Sequence, residues 1–174
     1  PIIMIFVSLL LGAALLLLGA LLAGQALTGL LRRKRAVLWE LRGFVETLQA
    51  ELLQRGTPLP ELFARQADRQ GLLWEPVRDC GKALARGVPA DRAMEPLLET
   101  LKTGEALPEA AAALGELSRA LGKYDAGTQA ERCLQTCARL EEQEKQLWTT
   151  LTEKGRLYRA LSFSAGAVLA LMLW

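Results

Sequence analysis

Residues 2–31, IIMIFVSLLLGAALLLLGALLAGQALTGLL, contain no charged side chain, and Arg32-Arg33-Lys34-Arg35 follow at once. A bilayer's hydrocarbon core is roughly 30 Å thick, so about 20 apolar residues in a helix cross it. Only Ser8, Gln25 and Thr28 bring polar side chains into this run. A cleaved leader would have a shorter apolar run, about 7–15 residues, with its positive charge in front. Here the charge comes behind, and a transmembrane helix over 2–31 is the expectation. Lys and Arg within about 15–20 residues of a span stay on the cytoplasmic side. Arg32, Arg33, Lys34 and Arg35 therefore predict that the next segment faces the cytoplasm.

The other end of the chain mirrors this arrangement. Lys154, Arg156 and Arg159 precede or interrupt the start of a second run, Leu161 to Trp174, that carries no charge. Counted from Leu157 the run reaches the usual span range of about 17–25 residues. Arg159 can then snorkel to headgroup level, with Tyr158 and Trp174 at opposite interfaces. Three parts follow: a first transmembrane helix (2–31), a cytoplasmic helical domain (32–156) and a second transmembrane helix (157–174).

Composition narrows the chemistry of the middle part. The 174 residues carry a net charge of +2, too near balance to suggest nucleic acid, and the basic residues gather beside the apolar runs. There is no His, the commonest general base and metal ligand. Cys80, Cys133 and Cys137 are three in number, whereas a structural zinc site takes four ligands. Reduced, buried thiols are the reading for a cytoplasmic domain. No Gly-rich phosphate loop, Walker-type Lys-Ser/Thr or nucleophile elbow occurs. The expectation is a non-enzyme with no catalytic residue, no metal, no cofactor, no nucleic-acid partner and no small-molecule substrate.

Apolar positions from 35 to 153 recur at intervals of three and four, and β-branched residues are sparse, so the segment reads as helical throughout. Val37, Leu41, Phe44, Leu48 and Leu52 form one face of a first helix. Gly56-Thr57-Pro58 ends it, with Gly at the left-handed stop, Thr as N-cap and Pro in the first turn of the next helix. That short helix, from about Pro58, turns Leu59, Leu62 and Phe63 inward. A third helix from Pro76 carries Val77, Cys80 and Leu84 to a stop at Gly87. A fourth from Pro89 carries Met94, Leu97, Leu98 and Leu101, and Pro96 inside it should kink it or shift its start. A fifth from Pro108 aligns Leu107, Ala111, Leu114, Leu117 and Leu121, and Gly122 ends it. Asp125 caps a last helix with Cys133, Leu134, Cys137, Leu140, Leu147, Trp148 and Leu151 as its apolar stripe. Glu141 can pair with Lys145 one turn on, while Glu142, Glu144 and Gln146 read as a solvated face. The expected fold is all-α: a compact six-helix bundle whose first and last helices continue into membrane spans.

Several stretches in this order resemble the stage III sporulation protein AB family. They are the apolar run with its basic cluster; Arg55-Gly56-Thr57-Pro58-Leu59-Pro60-Glu61; Leu121-Gly122-Lys123-Tyr124-Asp125-Ala126-Gly127-Thr128-Gln129; and Lys154-Gly155-Arg156-Leu157-Tyr158-Arg159-Ala160-Leu161. The likeness covers the whole chain, and the order and spacing carry more than any single motif. Ser162, where Gly is expected, and Pro96 depart from the pattern. The resemblance implies membership of the eight-protein assembly that links mother cell and forespore. It also implies a fold similar to the F-family platform proteins of type II secretion and type IV pilus systems. By that analogy the chain is a platform or scaffold subunit in the mother-cell membrane, facing the cytoplasm. It would couple a stage III sporulation protein AA-like ATPase and other channel subunits to the membrane assembly, and self-association is compatible with it. A platform subunit of a secretion or pilus system outside sporulation is the alternative, although such proteins usually carry two copies of the domain. Gly122 would supply a positive φ, Asp125 the cap, and Gln129 a hydrogen bond to the loop. The turns furthest from both apolar runs are where the ATPase would dock.

Overall fold

The computed structural model describes the backbone of residues 2–67 and 71–172. Side chains are described for 21–67, 71–153, 155–157 and part of the stretch before residue 21. Among the described residues every regular element is helical: α1 (Ile2–Gln54), α2 (Leu59–Ala67), α3 (Trp74–Ala85), α4 (Ala90–Ala93), α5 (Glu95–Glu99), α6 (Pro108–Ala120) and α7 (Ala126–Met172), with a π-helical turn at Thr100–Gly104 between α5 and α6. The chain divides into two compact units, one made of Pro1–Arg33 and Thr149–Trp174, the other of Lys34–Trp148.

Among the described residues no helix is long and apolar enough to cross a membrane. The side chains of the second expected span (157–174) fall almost wholly outside those residues, and those of the first (2–31) fall outside them in part. Side chains of 2–20 are described only in part, and those of Lys154 and of residues 158–174 not at all.

The Lys34–Trp148 unit is built as the apolar periodicity requires. Val37, Leu41, Phe44, Leu48 and Leu52 of α1 are buried, and so are Leu62 and Phe63, Val77, Cys80 and Leu84, and Met94, Leu97 and Leu101. From α6 and its flanks Leu107, Ala111, Leu114, Leu117 and Leu121 join the same core, and α7 adds Cys133, Cys137 and Leu140. Phe44 and Phe63 meet edge to face with centroids 5.1 Å apart, joining α1 to α2. Truncating a fully buried leucine in such a core costs about 2–5 kcal/mol.

Three glycines take positive φ where chain direction changes: Gly56 (58°), Gly87 (82°) and Gly122 (77°). At Gly87 the turn closes with Gly87 N–H to Leu84 O and Val88 N–H to Ala83 O, which satisfies carbonyls left over at the end of α3.

Two local expectations change. The fourth helix of the six is divided, giving seven. Pro96 has no N–H to continue the ladder and its ring crowds the preceding turn, so α4 stops at Ala93 and α5 begins at Glu95 with Pro in its first turn. The segment then widens into the π turn, where Glu105 N–H reaches Thr100 O at 2.9 Å. Thr57 does not cap α2: its hydroxyl donates to Glu51 Oε2 at 3.2 Å. The helix begins at Leu59, and the Pro58 carbonyl accepts from Glu61 and Leu62 N–H.

Candidate functional site

The motif residues at 121–129 form one closed corner. Leu121 leaves α6 with extended geometry (φ −63°, ψ 128°). Gly122 then takes the left-handed turn and points its N–H at Gln129 Oε1, 3.3 Å away. Gln129 Nε2 donates to the Tyr124 carbonyl, so one buried amide satisfies a donor and an acceptor of the loop. Asp125 accepts from Thr128 N–H (3.0 Å) and from the Thr128 hydroxyl (2.7 Å), an N-cap at the start of α7. The Thr128 hydroxyl and N–H hold the Asp125 carboxyl below the usual aspartate value.

The second motif lies at the same end. A Cβ placed on Gly122 would stand 3.8 Å from Leu59 Cδ1, just past Gly56-Thr57-Pro58. Lys123 pairs with Asp91 of α4 at 3.8 Å. The surface over this corner is polar, with Tyr124 more than half exposed. Leu157 of the 154–161 motif belongs to the other compact unit and is exposed, and the Tyr158 side chain lies outside the described residues.

The basic residues of the first cluster take different roles. Arg32 and Arg33 are exposed. Lys34 donates at 3.1 Å to the carbonyl of Ala106, itself the one described non-glycine residue with positive φ (51°). Arg35 reaches Glu144 Oε1 at 3.3 Å and lies over the Trp148 ring, 4.4 Å from its centroid. Arg156 is exposed, and Lys154 and Arg159 have side chains outside the described residues.

The solvated face read at 142–146 needs correction at Glu144. Its side chain is 14% exposed and is held between Arg35 and Arg42 Nη1, the latter at 3.0 Å. The signal was present: Cys133, Cys137, Leu140, Glu144 and Leu147 follow the 4-3-4-3 spacing of an inward stripe. Conversely Leu134 and Trp148, placed in the stripe from sequence, are more than half exposed. Glu141 and Lys145 do pair, at 2.9 Å.

A further cluster carries no local sequence signature. Glu40 of α1 accepts from Leu72 N–H (2.8 Å) and Leu73 N–H (3.0 Å), the two donors just before α3. Gly71 permits this approach, since a Cβ there would lie 2.1 Å from Glu40 Oε1. Beside it a groove of about 310 Å³ is lined by Trp39, Glu40, Phe44, Leu73, Trp74 and Val77.

The three thiols are buried and unpaired with each other. Desolvation pushes Cys80 and Cys137 up to about 11 and Cys133 up to about 12, the wrong direction for a nucleophile. Among the described residues no group of three or more His, Cys, Asp or Glu side chains could hold a metal ion.

The class of protein this defines is a helical bundle unit whose motif residues serve as corner joints and caps. A family profile described as stage III sporulation protein AB matches residues 9–174, and the chain belongs to that family. Membership gives it a sporulation-related role. No curated protein and no solved structure gives a significant match.

Proposed function

We propose that this chain is a non-enzymatic membrane platform subunit of a sporulation channel between mother cell and forespore. Its apolar ends would anchor it in the mother-cell membrane, and its helical unit would stand in the cytoplasm as a docking body for an ATPase and other channel subunits. The observation that carries the reading is the order of parts. A compact helical unit, Lys34–Trp148, lies in sequence between two charge-free apolar runs that are each bordered by basic residues on the side of that unit. Family membership supplies the biological setting. The likeness to F-family platforms is part of this proposal and rests on the all-helical architecture alone.

The corner at Gly56 and Leu121–Gln129 is the surface assigned to the ATPase. Charge and ring are presented there by Lys123, Asp91 and Tyr124, while the residues beneath are committed to the corner's own bonds. The test is retention of the stage III sporulation protein AA-like ATPase by the full chain in lipid nanodiscs. Lys123→Glu and Tyr124→Ala should each reduce retention with helicity unchanged. Retention unaffected by every exposed substitution around this corner would refute docking there. A reporter in the 104–106 turn that is reached by membrane-impermeant reagents from outside intact cells would refute the topology.

A further inference from the structure

We infer that the end of the helical unit where the chain enters at Lys34 and leaves at Trp148 carries an aromatic and basic rim that rests on anionic lipid headgroups. This inference rests on the membrane anchorage proposed above. Three of the chain's four tryptophans lie in this rim, and the fourth, Trp174, is outside the described residues. Trp39 is 64% exposed, Trp148 51% and Trp74 39%, and Leu72 beside Trp74 is 47% exposed. Large apolar side chains this open to solvent are normal singly and call for a cover when they adjoin.

They are linked by two ring-stacked arginines, one helical turn and a shared groove. Arg35 lies over Trp148. Trp39 stands one helical turn past Arg35 on α1, shares the groove with Trp74, and Arg78 lies 4.7 Å over the Trp74 ring. Indole rings have an apolar body and a polar N–H, and they concentrate where hydrocarbon meets water.

Charge selects the occupant. Two arginines are stacked on the rim's own rings, and Arg32, Arg33 and Lys34 precede it in the chain. Arg35 is itself offset by Glu144, and exposed Asp79 beside Arg78 pairs with Lys82 at 3.6 Å. Glu40 holds Leu72 and Leu73 N–H, and Glu144 is shared by Arg35 and Arg42. Glu75 is the exposed acid of the first turn of α3. A basic rim with indoles, next in sequence to a charge-free apolar run, fits an anionic headgroup layer in chemistry and in place.

Spin labels read the depth. The full chain is placed in nanodiscs of phosphatidylcholine and phosphatidylglycerol, with a nitroxide on Leu72→Cys in the rim, Tyr124→Cys at the opposite corner, or Leu15→Cys in the apolar run. The native thiols are buried and stay unlabelled. Collisions with oxygen, which favours lipid, are compared with collisions with a water-soluble nickel chelate. The expected oxygen-to-nickel ratio at position 72 is several-fold above that at 124 and below that at 15. Combining Trp39→Ala with Trp74→Ala should lower the ratio at 72 towards that at 124. Both rings are exposed enough for the fold to survive, which circular dichroism checks. A label at 72 as aqueous as one at 124, with the label at 15 in hydrocarbon, overturns the rim and leaves the anchorage standing. An aqueous label at 15 overturns both. A label at 72 shielded from both reagents means that protein covers the rim, and overturns the lipid assignment.

Discussion

The two ends of the Lys34–Trp148 unit are held together by different kinds of bond. At the corner, Gly122 bonds Gln129, Gln129 bonds Tyr124, and Asp125 bonds Thr128, partners separated by seven, five and three positions. At the entry end, Glu40 reaches Leu72 across 32 positions, Lys34 reaches Ala106 across 72, and Glu144 is joined to Arg42 across 102 and to Arg35 across 109. Local bonds order a loop at small cost in chain entropy, and the long-range bonds require the helices already to be in place. Apart from the exposed Lys123–Asp91 ion pair at 3.8 Å, the corner is therefore a self-contained joint. The entry end registers α1 against α7 and against the loop before α3.

Removing Glu144 is the largest perturbation of that contrast. Glu144→Ala deletes two charge-assisted hydrogen bonds at a mostly buried site and should lower stability by about 2 kcal/mol. Thermal unfolding of the full chain in detergent, followed by circular dichroism, measures it. A loss no greater than that of exposed Glu153→Ala would mean that Arg35 and Arg42 do not register the two helices through this residue. Next comes the corner, where Gly122→Ala forces a side chain into φ 77° and should cost about 1–2 kcal/mol. Gly71→Ala ranks third. Its Cβ displaces the Glu40 carboxylate, a flexible side-chain end, so the loss is that of the bonds to Leu72 and Leu73, about 1 kcal/mol. Because both changes act on the same bonds, of which Glu40→Gln leaves one acceptor, Gly71→Ala and Glu40→Gln together should cost less than their sum. Additive losses would show that Gly71 acts by another route.

The same contrast explains what could be read from the sequence. Val37, Leu41, Phe44, Leu48 and Leu52 announce a buried face because helical periodicity is a local pattern. Gly122, Asp125 and Gln129 announce a corner because caps and left-handed turns have fixed short spacings. Glu40 looks like any surface glutamate until the loop before α3 is folded onto it. Glu144 sits at an inward position of its stripe, but its charge suggested solvent, and its partners lie on another helix. Pro96 signalled a break without specifying that a π turn, with Leu101 buried in it, would follow. Tryptophans 39 and 74 carried no signal of adjacency, because their shared groove depends on the docking of α3 against α1.

The smallest effect belongs to the Asp125 cap, and pH separates it from the rest. The Thr128 hydroxyl, then its N–H, lowers the Asp125 carboxyl from the model-peptide value of 3.8. A carboxyl with a depressed folded-state pKa contributes stability that is fully present above its unfolded value. That contribution fades as pH falls through the lower, folded value. Asp125→Asn keeps an acceptor for the Thr128 N–H and removes the charge, so the gap between wild type and variant should be open at neutral pH and close in acid well below 3.8. Glu141, held down by Lys145, titrates in both proteins and drops out of the difference. Unfolding midpoints across acid and neutral pH measure the gap. A gap that persists in strong acid would mean that the cap works through shape and neutral hydrogen bonding.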